Sequence, residues 1–332
     1  MKTTLALLCG GISSEAYLSR RSFQQIYKEF DFKKFDIFVL DWQLDGTVIE
    51  SVINQPSNTK TLHKNIIQCF SSFHGDVVVN LLHSELENSG QIQGLLELAQ
   101  IPYTGNNIAS SVIGMSKILT KRCFRELGIN CPDDFLFQPK NNDDIEIQLA
   151  NLHDAALRYP LIIKPTKGGS SIGIQLVNNE KELLDFFSQN NDLTTYIVEE
   201  FIQGEEYCVG LFATHNSSSP IIFPAARINY QGVFFDASIK HNDKYNVDFS
   251  SNIKASLSEE MEKAASKAHN YIGFNGFCRY DFIVKDDEIF ALEVNTHPGM
   301  GQNSILPNMV KHADILLGSL FEEMIEEALN GW

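Results

Sequence analysis

Phe277-Cys278-Arg279-Tyr280-Asp281-Phe282-Ile283-Val284, followed by Lys285-Asp286-Asp287-Glu288 and then by Ile289-Phe290-Ala291-Leu292-Glu293-Val294-Asn295, is the stretch whose reading decides the fold. Two apolar runs of strand length flank a polar turn signal, so the segment reads as a β-hairpin. Side chains alternate along a strand. Arg279 and Asp281 therefore share one face of the first strand, and Glu293 and Asn295 share one face of the second. With the turn centred on Asp286-Asp287, Asp281 falls nearly opposite Leu292 and Glu293, so Asp281, Glu293 and Asn295 can converge. Two carboxylates and a carboxamide oxygen are hard donors. They suit Mg²⁺, which keeps its other positions for water and phosphate oxygens. A solvated face explains Asp286 and Asp287 well. It explains Glu293-Val294-Asn295 poorly, because the chain runs straight on into Thr296-His297-Pro298-Gly299-Met300.

Upstream, Ile162-Ile163-Lys164-Pro165 leads into Thr166-Lys167-Gly168-Gly169-Ser170-Ser171-Ile172-Gly173. This reads as a strand and then a loop whose successive N–H groups can cradle phosphate, with Lys164 at the strand end to pair with it. The order is not that of a P-loop, and an ordinary glycine-rich connector has the same composition. In Tyr196-Ile197-Val198-Glu199-Glu200-Phe201-Ile202, Glu199 could accept from an adenine amino group and the backbone near Ile202 could mimic a base pair. Glu206 could hold ribose hydroxyls. In isolation such glutamates are usually solvated, and Lys117, after Met115-Ser116, is an ordinary surface lysine.

The first third alternates strand and helix signals: strands at Thr3–Leu8, Phe35–Leu40 and Asp76–Leu82, and helical spacing from Gly90 to Ala99. Such alternation implies a parallel sheet with ligands near its carboxyl end. A break follows at Pro102–Asn107, then a helix over Ile108–Leu127 and a polar loop over Pro139–Asp144. Further strands are expected at Leu161–Lys164, Tyr196–Glu200, Glu205–Phe212, Ile221–Phe223 and Val233–Phe235, with helices at Glu180–Phe187, Ser258–Ile272 and Ile315–Leu329. The division is into three α/β units, 1–105, 106–200 and 201–332.

With 332 residues and 43% hydrophobic content the chain can bury a sizeable core in more than one domain. A net charge of -16 disfavours nucleic acid and anionic membrane as partners. The six cysteines form no C-x-x-C pair and read as small buried hydrophobes in a reducing compartment. The apolar run Leu5–Leu8 is too short for a signal peptide, and no stretch is apolar enough to span a bilayer, so a cytoplasmic protein is expected.

Taken together the segments resemble the ATP-grasp fold, and more closely the D-alanine–D-alanine ligase family. The likeness runs through Gly10-Gly11-Ile12-Ser13-Ser14-Glu15, Ile101-Pro102-Tyr103-Thr104-Gly105, Met115-Ser116-Lys117, Gly169–Gly173, Arg279-Tyr280-Asp281 and Glu293–Met300, with Asn303-Ser304 beyond. It implies an N-terminal Rossmann-like parallel α/β domain followed by two α+β domains enclosing ATP. It implies that Lys117, Lys164, Glu199, Ile202 and Glu206 bind ATP, with Lys240 reaching the γ-phosphate. Asp281, Glu293 and Asn295 would hold Mg²⁺, or Mn²⁺ in its place. Glu15 would receive the first substrate's ammonium and Ser170 would orient Glu15. Arg279 and the Gly299 N–H would stabilise an oxyanion, and Ser304 would bind the acceptor's carboxylate. The partners implied are amino-acid substrates, ATP and a second copy of the chain in a homodimer.

The sequence departs from the family in two places. The family's glycine-rich acidic segment after its first-domain histidine reads His83-Ser84-Glu85-Leu86-Glu87-Asn88-Ser89-Gly90, and the lid segment ends Lys240-His241 where a Lys-Tyr pair is usual. Both departures concern the amino-acid pockets, which leaves open another dipeptide, a D-alanyl-D-lactate depsipeptide or a catalytically silent nucleotide-binding protein. Histidine titrates near neutrality. His241→Tyr is therefore expected to change the acceptor preference or its pH profile. An amino- versus hydroxy-acid preference that stays the same from about pH 6 to about pH 9 in both proteins would refute this.

Overall fold

A computed structural model describes residues 2–331 apart from 54–59, 84–87, 167–172, 191–192, 236–237, 240–243 and 250–252. Its first sheet holds β1 (Thr3–Gly10), β2 (Phe35–Trp42), β3 (Val48–Val52), β4 (Lys60–His63) and β5 (Val77–Asn80) in the order β4-β3-β2-β1-β5. The three strands read from sequence pair in parallel, β1 lying between β2 and β5. β3 and β4 add an antiparallel edge. The helices are α1 (Ala16–Ile26), α2 (Ile66–Ser71) and α3 (Gln91–Leu98). Alternate residues of β1 feed two cores: Leu5 and Leu7 enter one and Ala6 and Leu8 the other. That is why the strand is a continuous apolar run.

The helix expected over Ile108–Leu127 is two, α4 (Ile108–Met115) and α5 (Lys117–Glu126). Ser116 between them is extended, and its hydroxyl accepts from Leu119 N at 3.4 Å. A serine cap competes with helix continuation here and sets Lys117 at the first position of α5.

The second sheet, β6 (Asp134–Phe137), β7 (Leu161–Pro165), β8 (Gln175–Val177) and β9 (Tyr196–Glu200), runs β6-β9-β7-β8 and is antiparallel. It carries α6 (Asn142–Asp154) and α7 (Glu180–Gln189). The stretch expected as a loop from Pro139 turns helical at Asn142, where Asn141 Oδ1 accepts from Asp144 N at 3.0 Å and caps α6.

The third sheet comprises β10 (Glu205–Ala213), β11 (Ile221–Ile222), β12 (Ala226–Tyr230), β13 (Tyr245–Asp248), β14 (Gly276–Lys285) and β15 (Glu288–Asn295). Its order is β13-β12-β10-β14-β15, with β11 beside β10. Val233–Phe235, expected as a strand, lies outside the ladder and lines a cleft instead. α8 (Ala255–Ile272) starts three residues before the expected Ser258 and stops at left-handed Gly273, φ +74°. α9 (Ile305–His312) and α10 (Leu317–Asn330) end the described chain.

Phe321 and Met324 of α10 share one core with Leu5 and Val77 of the first sheet and Phe277 of the third. A buried polar clamp reinforces that junction. Asn275 N donates to Asn106 Oδ1 at 2.8 Å, and Asn275 Nδ2 donates to Glu327 Oε2 at 2.8 Å. The start of β14 is thereby tied to Asn106 and to α10. All six cysteines are free. Among the described residues no helix is long and apolar enough to cross a membrane.

Candidate active site

The β14–β15 turn carries positive φ at Asp286 (51°) and Asp287 (66°), as a two-residue type I′ hairpin requires. Regular pairing from Lys285↔Glu288 reaches Phe282↔Ala291 and then shifts, so that Asp281 pairs with Glu293 and Arg279 with Asn295. Leu292 is the extra residue of a β-bulge. Without it as an unpaired residue, Asp281 would face Leu292, and Glu293 and Asn295 would point to the opposite side of the sheet. The bulge therefore assembles the four polar side chains on one face, and Leu292 itself turns into the neighbouring cleft.

On that face Arg279 Nε and Nη2 donate to the two oxygens of Asp281, each at 2.7 Å, in a buried bidentate pair. Lys117 Nζ lies 3.5 Å from Glu293 Oε2. Asn295 Oδ1 accepts from His297 N at 3.1 Å, which orients the carboxamide oxygen. Among the described residues no three His, Cys, Asp or Glu side chains cluster as a metal site. The oxygen donors that the register gathers on this face are two carboxylates and one amide oxygen. That all-oxygen donor set fits Mg²⁺ or Mn²⁺ and does not fit zinc. Close by, burial and then the charge of Asp281 push the Glu206 carboxyl up to about 7, against a hydrogen bond donated by the Tyr230 hydroxyl.

The first cleft, of about 1090 Å³, opens between the second and third sheets and is lined by Lys164, Glu199, Ile202, Glu206 and Leu292 among others. Glu199 is fully buried in β9 and receives Lys121 Nζ at 2.8 Å on one oxygen and Lys164 Nζ at 2.5 Å on the other. Burial alone would raise its pKa, but the two ammonium groups outweigh burial and hold the carboxyl at about 2. Lys121, which sequence reasoning passed over, also donates to the Pro132 carbonyl at 2.9 Å. Its one signal in the sequence is the i,i+4 spacing from Lys117 on α5.

The second cleft, of about 1280 Å³, is lined by Glu15, His83, Tyr245, Asn295, Gly299 and Ser304 among others. It shares Lys117, Phe235, Arg279 and Glu293 with the first. Glu15 stands at the N-cap position of α1. Ser304 stands at the N-cap of α9, where its hydroxyl makes no cap bond, beside a helix N-terminus that favours a carboxylate. A Cβ at Gly299 would lie 3.0 Å from Ser304 Oγ, so a side chain there would need the serine to shift by a few tenths of an ångström. Both ring nitrogens of His83 are engaged, with Ser22 Oγ at 2.7 Å and the His297 carbonyl at 2.8 Å. The Tyr245 hydroxyl donates to Asn303 O at 3.4 Å. Ser22 and Tyr245 had no signal in the sequence. Ser170, Lys240 and His241 lie outside the described residues.

Residues 4–106 match the family described as D-ala D-ala ligase N-terminus, and residues 123–326 match D-ala D-ala ligase C-terminus. A D-alanine–D-alanine ligase of Carboxydothermus hydrogenoformans is 29% identical over 98% of this chain and 98% of its own length. Two solved structures are similar across 99% of this chain. One is the VanG D-Ala:D-Ser ligase from Enterococcus faecalis, with 26% identity, all of that chain covered and a TM-score of 0.83. The other is the D-alanine–D-alanine ligase of Bacillus anthracis complexed with ATP, with 25% identity, 98% of that chain covered and a TM-score of 0.74. With both halves matched and the hairpin, the two clefts and their shared wall in place, the chain belongs to the D-alanine–D-alanine ligase family.

Proposed function

We propose that this chain joins two D-alanine molecules into a D-alanyl dipeptide for peptidoglycan precursors, driven by ATP through an acyl phosphate. The observation that carries the reading is the common wall of the two clefts, Lys117, Arg279 and Glu293, where the phosphate end of a nucleotide in one would meet a substrate carboxylate in the other. A carboxylate is a poor electrophile. Its oxygen therefore attacks the γ-phosphorus, ADP leaves, and the acyl phosphate that results is open to attack by the second amine. Nitrogen bonds to the acyl carbon, inorganic phosphate departs with its bridging oxygen, and the amine loses a proton.

Each residue then has a task. Lys164, steadied by Glu199, neutralises phosphate oxygens, as do Lys117 and Lys240. The backbone at Ile202 reads the adenine edge and Glu206 holds ribose. Glu15, oriented by Ser170, takes the first ammonium. Arg279 and Gly299 N–H face the tetrahedral oxyanion, where preorganised donors act most strongly. Ser304 and the N-terminus of α9 hold the acceptor carboxylate. Asp281, Glu293 and Asn295 would hold Mg²⁺, which when bound supplies charge neutralisation at the transferring phosphate. We place the enzyme in the cytoplasm as a homodimer, which analytical ultracentrifugation checks.

Asp281→Ala is expected to cut turnover by about 10²-fold or more and to abolish the change that the enzyme makes to the Mn²⁺ electron paramagnetic resonance spectrum with ATP present. Full turnover with unchanged Mn²⁺ binding would contradict the metal assignment. A second reading, with an acceptor bearing a hydroxyl, is favoured by Tyr245 and its hydroxyl beside Asn303-Ser304 and by the likeness to a D-Ala:D-Ser ligase. Phosphate release from ATP, screened over paired amino and hydroxy acids, decides between them. Fastest release with D-alanine alone supports the first reading. Fastest release when D-serine or D-lactate is added supports the second, and ATP binding without turnover on any pair refutes both.

A further inference from the structure

We propose that Ser22 and His83 are positioning residues that hold the Gly299 backbone N–H in place by closing a hydrogen-bonded ring around the turn 297–300. The inference rests on the reading above, in which that N–H meets the oxyanion.

Donor and acceptor bookkeeping fixes the direction of each bond. The His297 carbonyl can only accept, so His83 carries its proton on Nδ1 and donates across 2.8 Å. Met300 N can only donate, and it gives its hydrogen to Ser22 Oγ at 3.0 Å. The hydroxyl hydrogen of Ser22 is then left for His83 Nε2 at 2.7 Å, the acceptor nitrogen of the neutral ring. The chain of donors runs from Met300 N–H through Ser22 and the imidazole to the His297 carbonyl. Both ends of a four-residue turn are thus tied to the same two side chains, and Gly299 lies between those ends. Each link polarises the next, so the ring acts as one unit.

Its foundation is rigid. Ser22 is buried in α1. One turn earlier Ser19, also buried, accepts from Gly10 N at 2.9 Å and donates to Leu81 O at 2.7 Å. α1 is therefore fastened to the ends of β1 and β5 at Ser19 and to the oxyanion turn at Ser22. On its other side the turn leaves little room, since a Cβ added at Gly299 would come within 3.0 Å of Ser304 Oγ. His83 thus serves the amino-acid pocket by holding its wall, since both of its nitrogens are occupied.

The test uses the whole enzyme with ATP and D-alanine, and it measures phosphate and dipeptide separately. Ser22→Ala is expected to lower dipeptide turnover roughly 10- to 100-fold with the KM for ATP unchanged. The phosphate released per dipeptide should rise, because acyl phosphate still forms and water then intercepts it. Ser22→Thr, which keeps the hydroxyl, should restore coupling. His83→Ala combined with Ser22→Ala should cost little more than either alone. Unchanged turnover in Ser22→Ala would overturn the proposal. So would parallel loss of phosphate and dipeptide with a lowered melting temperature and no rescue by threonine. A wild-type enzyme that makes no dipeptide would instead sink the ligase reading itself.

Discussion

Arg279→Ala is expected to lower dipeptide formation by about 10³-fold and to destabilise the fold by about 3–5 kcal/mol. Two losses combine. Arg279 is the buried cation on the metal face, and its guanidinium takes both oxygens of Asp281. Removing it leaves a buried carboxylate without its counter-charge, in a region that already holds Glu206 and Glu293. The same guanidinium faces the place where the tetrahedral oxyanion develops, so the chemical step loses a preorganised donor as well. Arg279→Lys separates these contributions. It keeps a positive charge but cannot reproduce the planar fork, so it should recover much of the stability and little of the rate. Urea unfolding and steady-state ADP release on the three proteins check this. An alanine variant that keeps more than a tenth of wild-type turnover would contradict the assigned role.

The second large effect is at Lys121. Lys121→Met is expected to cost about 3–5 kcal/mol, because Glu199 would keep only Lys164 as a buried partner. Lys121, Glu199 and Lys164 replaced together by methionine should regain much of the loss, since apolar groups of similar volume can replace a buried ionic cluster as a whole. The pH dependence has a definite sign. The Glu199 carboxyl is held at about 2, below its ordinary value near 4.5. A depressed carboxylate adds stability above its unfolded pKa and loses it as pH falls through its folded pKa. Wild-type stability should therefore drop steadily from about pH 4.5 towards pH 2. In Lys121→Met, where the folded pKa climbs back, the curve should flatten in that window. Denaturant unfolding across it decides, and a variant within about 1 kcal/mol of wild type at neutral pH would count against the network.

The hairpin at Arg279–Asn295 was legible because its signal is local: alternation, a turn of two aspartates, and polar residues where apolar ones were due. The bulge at Leu292 was not, since an unpaired leucine in an apolar strand looks like any other. The parallel strands β1, β2 and β5 were legible as apolar runs, whereas β3 and β4 are short, partly polar edge strands. The break at Ser116 was hidden because apolar residues continue on both sides of it. Val233–Phe235 looks like a strand because cleft walls are also apolar. Lys121 and Ser22 lie on helices, where polar residues usually meet water. Only the packing of α5 on β9, and of α1 on the 297–300 turn, gives them partners. The strands that line the first cleft thus followed from local pattern, Lys117, Glu199 and Glu206 were singled out only by the family resemblance, and Lys121 and Ser22 came from tertiary contacts.

The claim that ATP activates a D-alanine carboxylate as an acyl phosphate is tested most directly by isotope transfer. D-alanine labelled with ¹⁸O in its carboxylate is incubated with the enzyme, ATP and Mg²⁺, and the dipeptide and inorganic phosphate are weighed by mass spectrometry. The account predicts D-alanyl-D-alanine together with phosphate that carries one ¹⁸O atom from the substrate in each turnover. Dipeptide accompanied by unlabelled phosphate, or phosphate released with no dipeptide, would contradict it.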